Sequence, residues 1–260
     1  MRRIPHNVRK IPQRPMSFFD TRPAVEALKR HVDVVARTPR NLWHYESLQR
    51  AAAYIHGEFT RAGYQPRHQV YEVDGRQVAN IEAERRARHR ADSVLVIGAH
   101  YDSVANSPGA NDNASGVAVM LELARLHAAS AGAGSTVRCV AFVNEEPPYF
   151  MTEHMGSFRY AAEAAARGDH IVAMLSLETI GYYSDEVGSQ RYPFPFSLML
   201  PSRGNFLAMV SNIRSVRALV RVLLGVMTTS GAGHGSLRAR RLGGVHHDSD
   251  QEHPLSYRFL

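Results

Sequence analysis

The sequence predicts an α/β protein in which a mostly parallel mixed sheet is sandwiched between helices. Three observations carry that expectation. Continuous apolar runs of strand length recur along the chain: "SVLVIGA" (93–99), "STVRCVAFV" (135–143) and "HIVAMLSLE" (170–178). Segments with apolar residues at helical spacing separate them, "SGVAVMLELARLHAA" and "SFRYAAEAAARG". Charged residues gather where the apolar runs stop: His100 and Asp102 after the first, Glu145 and Glu146 after the second, Glu178 at the end of the third. Strands buried on both faces read as unbroken hydrophobic runs, and their alternation with helices is the pattern of parallel sheets.

Taken in order, residues 1–20 carry Pro5, Pro12 and Pro15 among basic side chains and read as a flexible basic arm. A single domain is expected over residues 21–227. It opens with two amphipathic helices, "AVEALKRHVDVVA" (24–36) and "YESLQRAAAYIHGEFTRAGY" (45–64), the second stopping at Gly63 as at a helix C-cap. "HQVYEV" and "VANIEAE" follow as strands, then the alternation above. "NFLAMVSN" and "IRSVRALVRVLLGVM" (205–227) add an expected strand and helix. Residues 228–260 show no sustained period and read as an irregular C-terminal segment.

Composition excludes several classes. With 260 residues, 44% hydrophobic and 21% charged, the chain is sized for one globular α/β domain. No apolar stretch approaches the roughly 20 residues needed to span a bilayer, so no membrane partner is expected. The basic N-terminus is not followed by an apolar secretory core, which makes a cytoplasmic location the expectation. The net charge of +7 comes from scattered arginines, with Lys10 and Lys29 the only lysines, and no nucleic-acid motif accompanies it, so no nucleic-acid partner is expected. Cys139 is the only cysteine, which rules out an intramolecular disulfide, and its place in "VRCVAFV" marks it as a buried core thiol.

The chemistry is expected where the strands end, because ligands of open α/β sheets bind outside the carboxyl ends of the strands. In "FVNEEPP" two adjacent carboxylates raise each other's pKa unless cations compensate them. Neighbouring side chains of extended backbone point to opposite sides, which suggests a division of labour: one glutamate on a metal, the other on a proton. Asp102, two residues after His100, can supply the acceptor that a metal-bound imidazole needs on its other nitrogen. In "GANDNASGVAVMLELA" either Asp112 or Asn113 can cap the helix, and the small residues let backbone or ions approach closely. A histidine with separate carboxylates suits a pair of Zn²⁺ or related divalent ions.

Four linked motifs, "GAHYDS", "GANDNASGVAVMLELAR", "FVNEEPPYF" and "SLETIGYY", resemble the M28 family of zinc peptidases over about residues 45–225. The resemblance implies the phosphorylase/hydrolase-like zinc exopeptidase fold and two Zn²⁺ per chain. His100, Asp112 and Glu178 match the ligands of one zinc; Asp112 as a bridge and Glu146 match ligands of the second. Glu145 matches the general base, and Asp102 the carboxylate that orients the ligand histidine. The implied reaction is hydrolysis of a peptide bond, as in an aminopeptidase acting on an N-terminal amino acid, by metal-activated water. The chain departs from the family at its C-terminus, where a further histidine ligand is expected and His246, His247 and His253 are available. A truncated or frame-shifted C-terminus would account for that. Two further readings follow: an M28-like protein with an incomplete second zinc site and impaired catalysis, or a glutaminyl-cyclase-like transferase.

Overall fold

The computed structural model describes residues 21–129, 134–192, 194, 200–212 and 215–216. The expected arm (1–20) and C-terminal segment (228–260), with His246, His247 and His253, lie outside the described residues, as does nearly all of the helix expected at 213–227. The chain divides into two compact units, one ending at Thr179 and one beginning at Ile180. Among the described residues no helix is long and apolar enough to cross a membrane.

In the first unit, α1 (Thr21–Val35) and α2 (Tyr45–Arg61) lead in. Leu48, Ala51, Ala52, Ile55 and Phe59 of α2 recur at helical spacing and are all buried, an apolar stripe worth about 1.5–3 kcal/mol for each large side chain. At the end of α2 the Tyr64 N–H donates to the Phe59 carbonyl (3.0 Å) and the Gly63 N–H to the Thr60 carbonyl (2.9 Å). Gly63 has φ +92°. The Gly63 reading is therefore met as a Schellman cap.

Five strands follow: β1 (Arg67–Val73), β2 (Arg76–Arg85), β3 (Arg90–His100), β4 (Ser135–Phe142) and β5 (His170–Ser176), with α3 (Gly116–Ala128) before β4 and α4 (Gly156–Ala166) after it. The sheet order is β1-β2-β4-β3-β5. β4, β3 and β5 run parallel, and β2 is antiparallel to both β4 and β1, so four of the five strands point one way. β1 and β2 form a hairpin closed by Asp74 and Gly75, both at positive φ, the two-residue turn that matches strand twist. The two faces of β4 feed two cores. Cys139, Ala141 and Val143 pack with residues of α2 and α3, and Val140 and Phe142 with Tyr160 and Ala164 of α4. Helices thus cover both faces, and Cys139 is buried as expected, its thiol pushed up to about 12 by desolvation.

β5 is a strand as expected; among the described residues it pairs only with β3, and Ile171 (36%), Val172 (46%) and Met174 (43%) are exposed. One expectation is corrected. "NFLAMVSN" is not a strand: residues 205–212 have no ladder partner among the described residues, and Leu207 and Val210 face solvent. In the second unit the described chain is irregular, held by Ser184 N–H on the Gly204 carbonyl (2.9 Å) and Gly188 N–H on the Ser202 carbonyl (2.9 Å).

Candidate metal centre

The parallel strands deliver their carboxyl ends to one rim, with His100 opposite Phe142 and Gly98 opposite Ser176 in the ladder. His100 closes β3 and is 3% exposed. Its Nε2 lies 3.0 Å from Asp112 Oδ1, 3.4 Å from Glu178 Oε1 and 3.6 Å from Glu145 Oε2, and its Nδ1 lies 3.4 Å from Asp102 Oδ1. All six residues singled out in the sequence meet here. Two groups have ligand atoms within 4.8 Å of one another: His100 with Asp112 and Glu178, and His100 with Glu145 and Glu146. Asp112 and Glu146, which the resemblance assigns to one shared ion, fall in different groups.

The paired glutamates lie past the end of β4 and their carboxylates converge, contrary to the expectation that their side chains diverge. β4 ends at Phe142, Asn144 turns through φ +59°, and the Glu145 and Glu146 N–H groups donate to the two oxygens of the Asp102 carboxylate (3.1 and 2.9 Å). Both carboxylates therefore reach the space beside His100. Asp102 holds this turn and also flanks the imidazole.

In the 110–115 turn Asp112 has non-helical backbone (φ −105°, ψ 97°). The cap left open between Asp112 and Asn113 belongs to Asn113, whose Oδ1 accepts from the Gly116 N–H (3.1 Å). Asp112 turns instead to His100. What the small residues of "NASG" admit is backbone: a Cβ added to Gly116 would stand 2.5 Å from the Leu177 carbonyl oxygen.

Sequence reasoning missed Arg40, which is fully buried beneath the loop joining His100 to Asp112. Its Nε donates to the Tyr101 carbonyl (2.6 Å), its two terminal nitrogens to the Gly109 (3.0 Å) and Pro108 carbonyls, and its own carbonyl accepts from Ser103 N–H (2.8 Å). Asn41 adds a bond from its Nδ2 to the Ser103 carbonyl (3.0 Å). Burial lowers the Arg40 pKa to about 10 against the pull of Asp102, Asp112 and Glu146, so it stays cationic at neutral pH.

The site fits a divalent cation. Neither ring nitrogen of His100 has a hydrogen-bond partner of acceptable geometry, although carboxylate oxygens crowd both. Burial disfavours a charged His100, but Asp102, Asp112 and Glu178 outweigh it and raise its pKa well above the ordinary value. A cluster that draws positive charge onto a buried imidazole offers the nitrogen and carboxylate donors that zinc takes.

With this geometry in place, comparison with known proteins gives the class. Residues 79–199, a little under half of the chain, match the model of peptidase family M28. It is 38% identical over 217 residues to the Escherichia coli K12 protein YfbL, described as uncharacterized, covering 78% of this chain and 65% of YfbL; the chain thus spans just under two thirds of that relative. Its fold resembles an aminopeptidase from Aneurinibacillus sp. strain AM-1 (TM-score 0.52, 16% identity, 63% of this chain and 71% of that one). It also resembles a glutaminyl cyclase from an Acidobacteriales bacterium (TM-score 0.55, 19% identity, 69% and 64%). These two likenesses establish the fold.

Proposed function

We propose that this chain is a zinc-dependent peptidase that removes N-terminal residues from peptides. The observation that carries the reading is the convergence of Asp112, Glu145 and Glu178 oxygens within 3.6 Å of one buried imidazole nitrogen. His100, Asp112 and Glu178 would hold one zinc, and Glu146 would serve a second. Zinc bound there lowers the pKa of water and polarises a carbonyl. Glu145, on the same rim, takes the water proton and returns it to the leaving amine. Asp102 keeps the Glu145–Glu146 turn and the imidazole in register. Arg40 fixes the loop between the two ligand-bearing segments.

The experiment pairs metal content with turnover. Purified chain equilibrated with dilute Zn²⁺ should retain at least one ion per chain and hydrolyse aminoacyl-p-nitroanilides. Glu145→Gln should keep the metal and lose about 10²–10⁴-fold in kcat. Full activity in that variant would remove Glu145 as the base, and a chain that retains no zinc would remove the reading altogether.

A second reading is favoured by the donor set itself. Among the described residues His100 is the only imidazole in both ligand groups. If Glu145 carries protons, one complete three-residue set remains. A single-zinc site is what a glutaminyl-cyclase-like transferase would use, so peptides with N-terminal glutamine belong in the same assay. Ammonia release without amide hydrolysis would select this alternative, whereas zinc retention with neither reaction would select the impaired M28-like protein.

A further inference from the structure

We propose that Asn113 is a positioning residue of the metal centre, one whose buried carboxamide ties Glu178 to the start of α3 and so sets the spacing of the Asp112 and Glu178 carboxylates around His100. The inference rests on the metal-binding reading above. Asn113 is fully buried, and every hydrogen-bonding capacity of its side chain is used. Nδ2 donates to the Leu177 carbonyl (2.8 Å) and to Glu178 Oε2 (3.3 Å). Oδ1 accepts from the Gly116 N–H (3.1 Å) and the Thr179 N–H (3.3 Å). One amide therefore grips both backbone flanks of Glu178 and one of its carboxylate oxygens, while the other oxygen, Oε1, lies 3.4 Å from His100 Nε2.

The same residue is bonded directly to Asp112 in the chain, so the two carboxylates of the His100–Asp112–Glu178 group are referenced to one rigid point. The close approach this needs is built in: at Gly116 a Cβ would lie 2.4 Å from Asn113 Oδ1 and 2.5 Å from the Leu177 oxygen. Partners that orient metal ligands typically cost about 10–100-fold in metal affinity when lost. Asn113-Ala114-Ser115 is formally a glycosylation sequon, but the Asn113 amide nitrogen is already committed inside the fold.

Asn113→Asp tests this with little change in shape. It replaces the two N–H donors by an acceptor facing the Leu177 and Glu178 oxygens, so Glu178 should swing away. In the full chain, Co²⁺ affinity by chelator competition should fall about 10–100-fold, and the visible Co²⁺ spectrum should change while far-UV circular dichroism does not. Asn113→Ser, which shortens the side chain without adding charge, carries the test if the aspartate variant does not fold. Co²⁺ affinity and spectrum left as in the unaltered chain would confine Asn113 to capping α3, a role that Asp and Ser also fill, and that result overturns the proposal. Failure of the unaltered chain to take up Co²⁺ would instead overturn the metal-binding reading, and this inference with it.

Discussion

At position 102 one carboxylate serves two chain segments. Asp102 accepts the N–H groups of Glu145 and Glu146 and flanks His100, so the loop after β3 and the turn after β4 are held by the same side chain. Asp102→Ala strands two buried donors, and we expect about 1–3 kcal/mol of lost stability for each that water cannot reach. A lower urea midpoint together with weakened zinc retention would show this; an unchanged midpoint would mean that the turn stands without Asp102. Residues of this kind were legible in the sequence because each is a charged group closing an apolar run. Arg40 and Asn113 were not, for a physical reason. Arg40 bonds to backbone carbonyls 61–69 positions away, and a carbonyl leaves no mark in residue type. Asn113 reads equally well as an ordinary helix cap, which in part it is.

Among the elements, α2 and α3 end and begin at glycines under different constraints. Gly63 needs its positive φ but has nothing within 4 Å of an added Cβ, so Gly63→Ala should cost only the left-handed backbone, about 1–2 kcal/mol. Gly116→Ala, with helical φ, should instead push α3 from Leu177, adding about 1–3 kcal/mol of overpacking and loosening the metal. Measuring melting temperature and zinc retention on both variants separates the cases; equal zinc retention would count against the close approach at Gly116. Periodicity gave these elements, and it gave β3 and β4, because each is buried as its apolar content suggests. It misjudged "NFLAMVSN", since an apolar run announces a preference for burial and not the presence of a partner. It also passed over the Asp74–Gly75 turn signal, which makes β1 and β2 a hairpin and β2 the antiparallel member.

For the molecule as a whole, acid stability should carry the signature of one cluster beneath α4. Arg138, and after it Arg167, hold Asp169 at about 2, below its ordinary 3.8. A carboxylate depressed in the folded state stabilises fully above its unfolded value, and the contribution fades as pH falls from about 4 toward 2. Asp169→Asn should flatten the stability profile in that window and not above it; an unaltered acid limb would assign acid sensitivity to other groups. Cys139, meanwhile, is the sole thiol in the sequence, 1% exposed and raised to about 12. Only a trace of it is thiolate at neutral pH, and reagent reaches it only when the packing of β4 parts. The chain therefore carries its own stopwatch: consumption of an alkylating reagent counts the openings of the sheet, one sulfur at a time, with no label to be engineered.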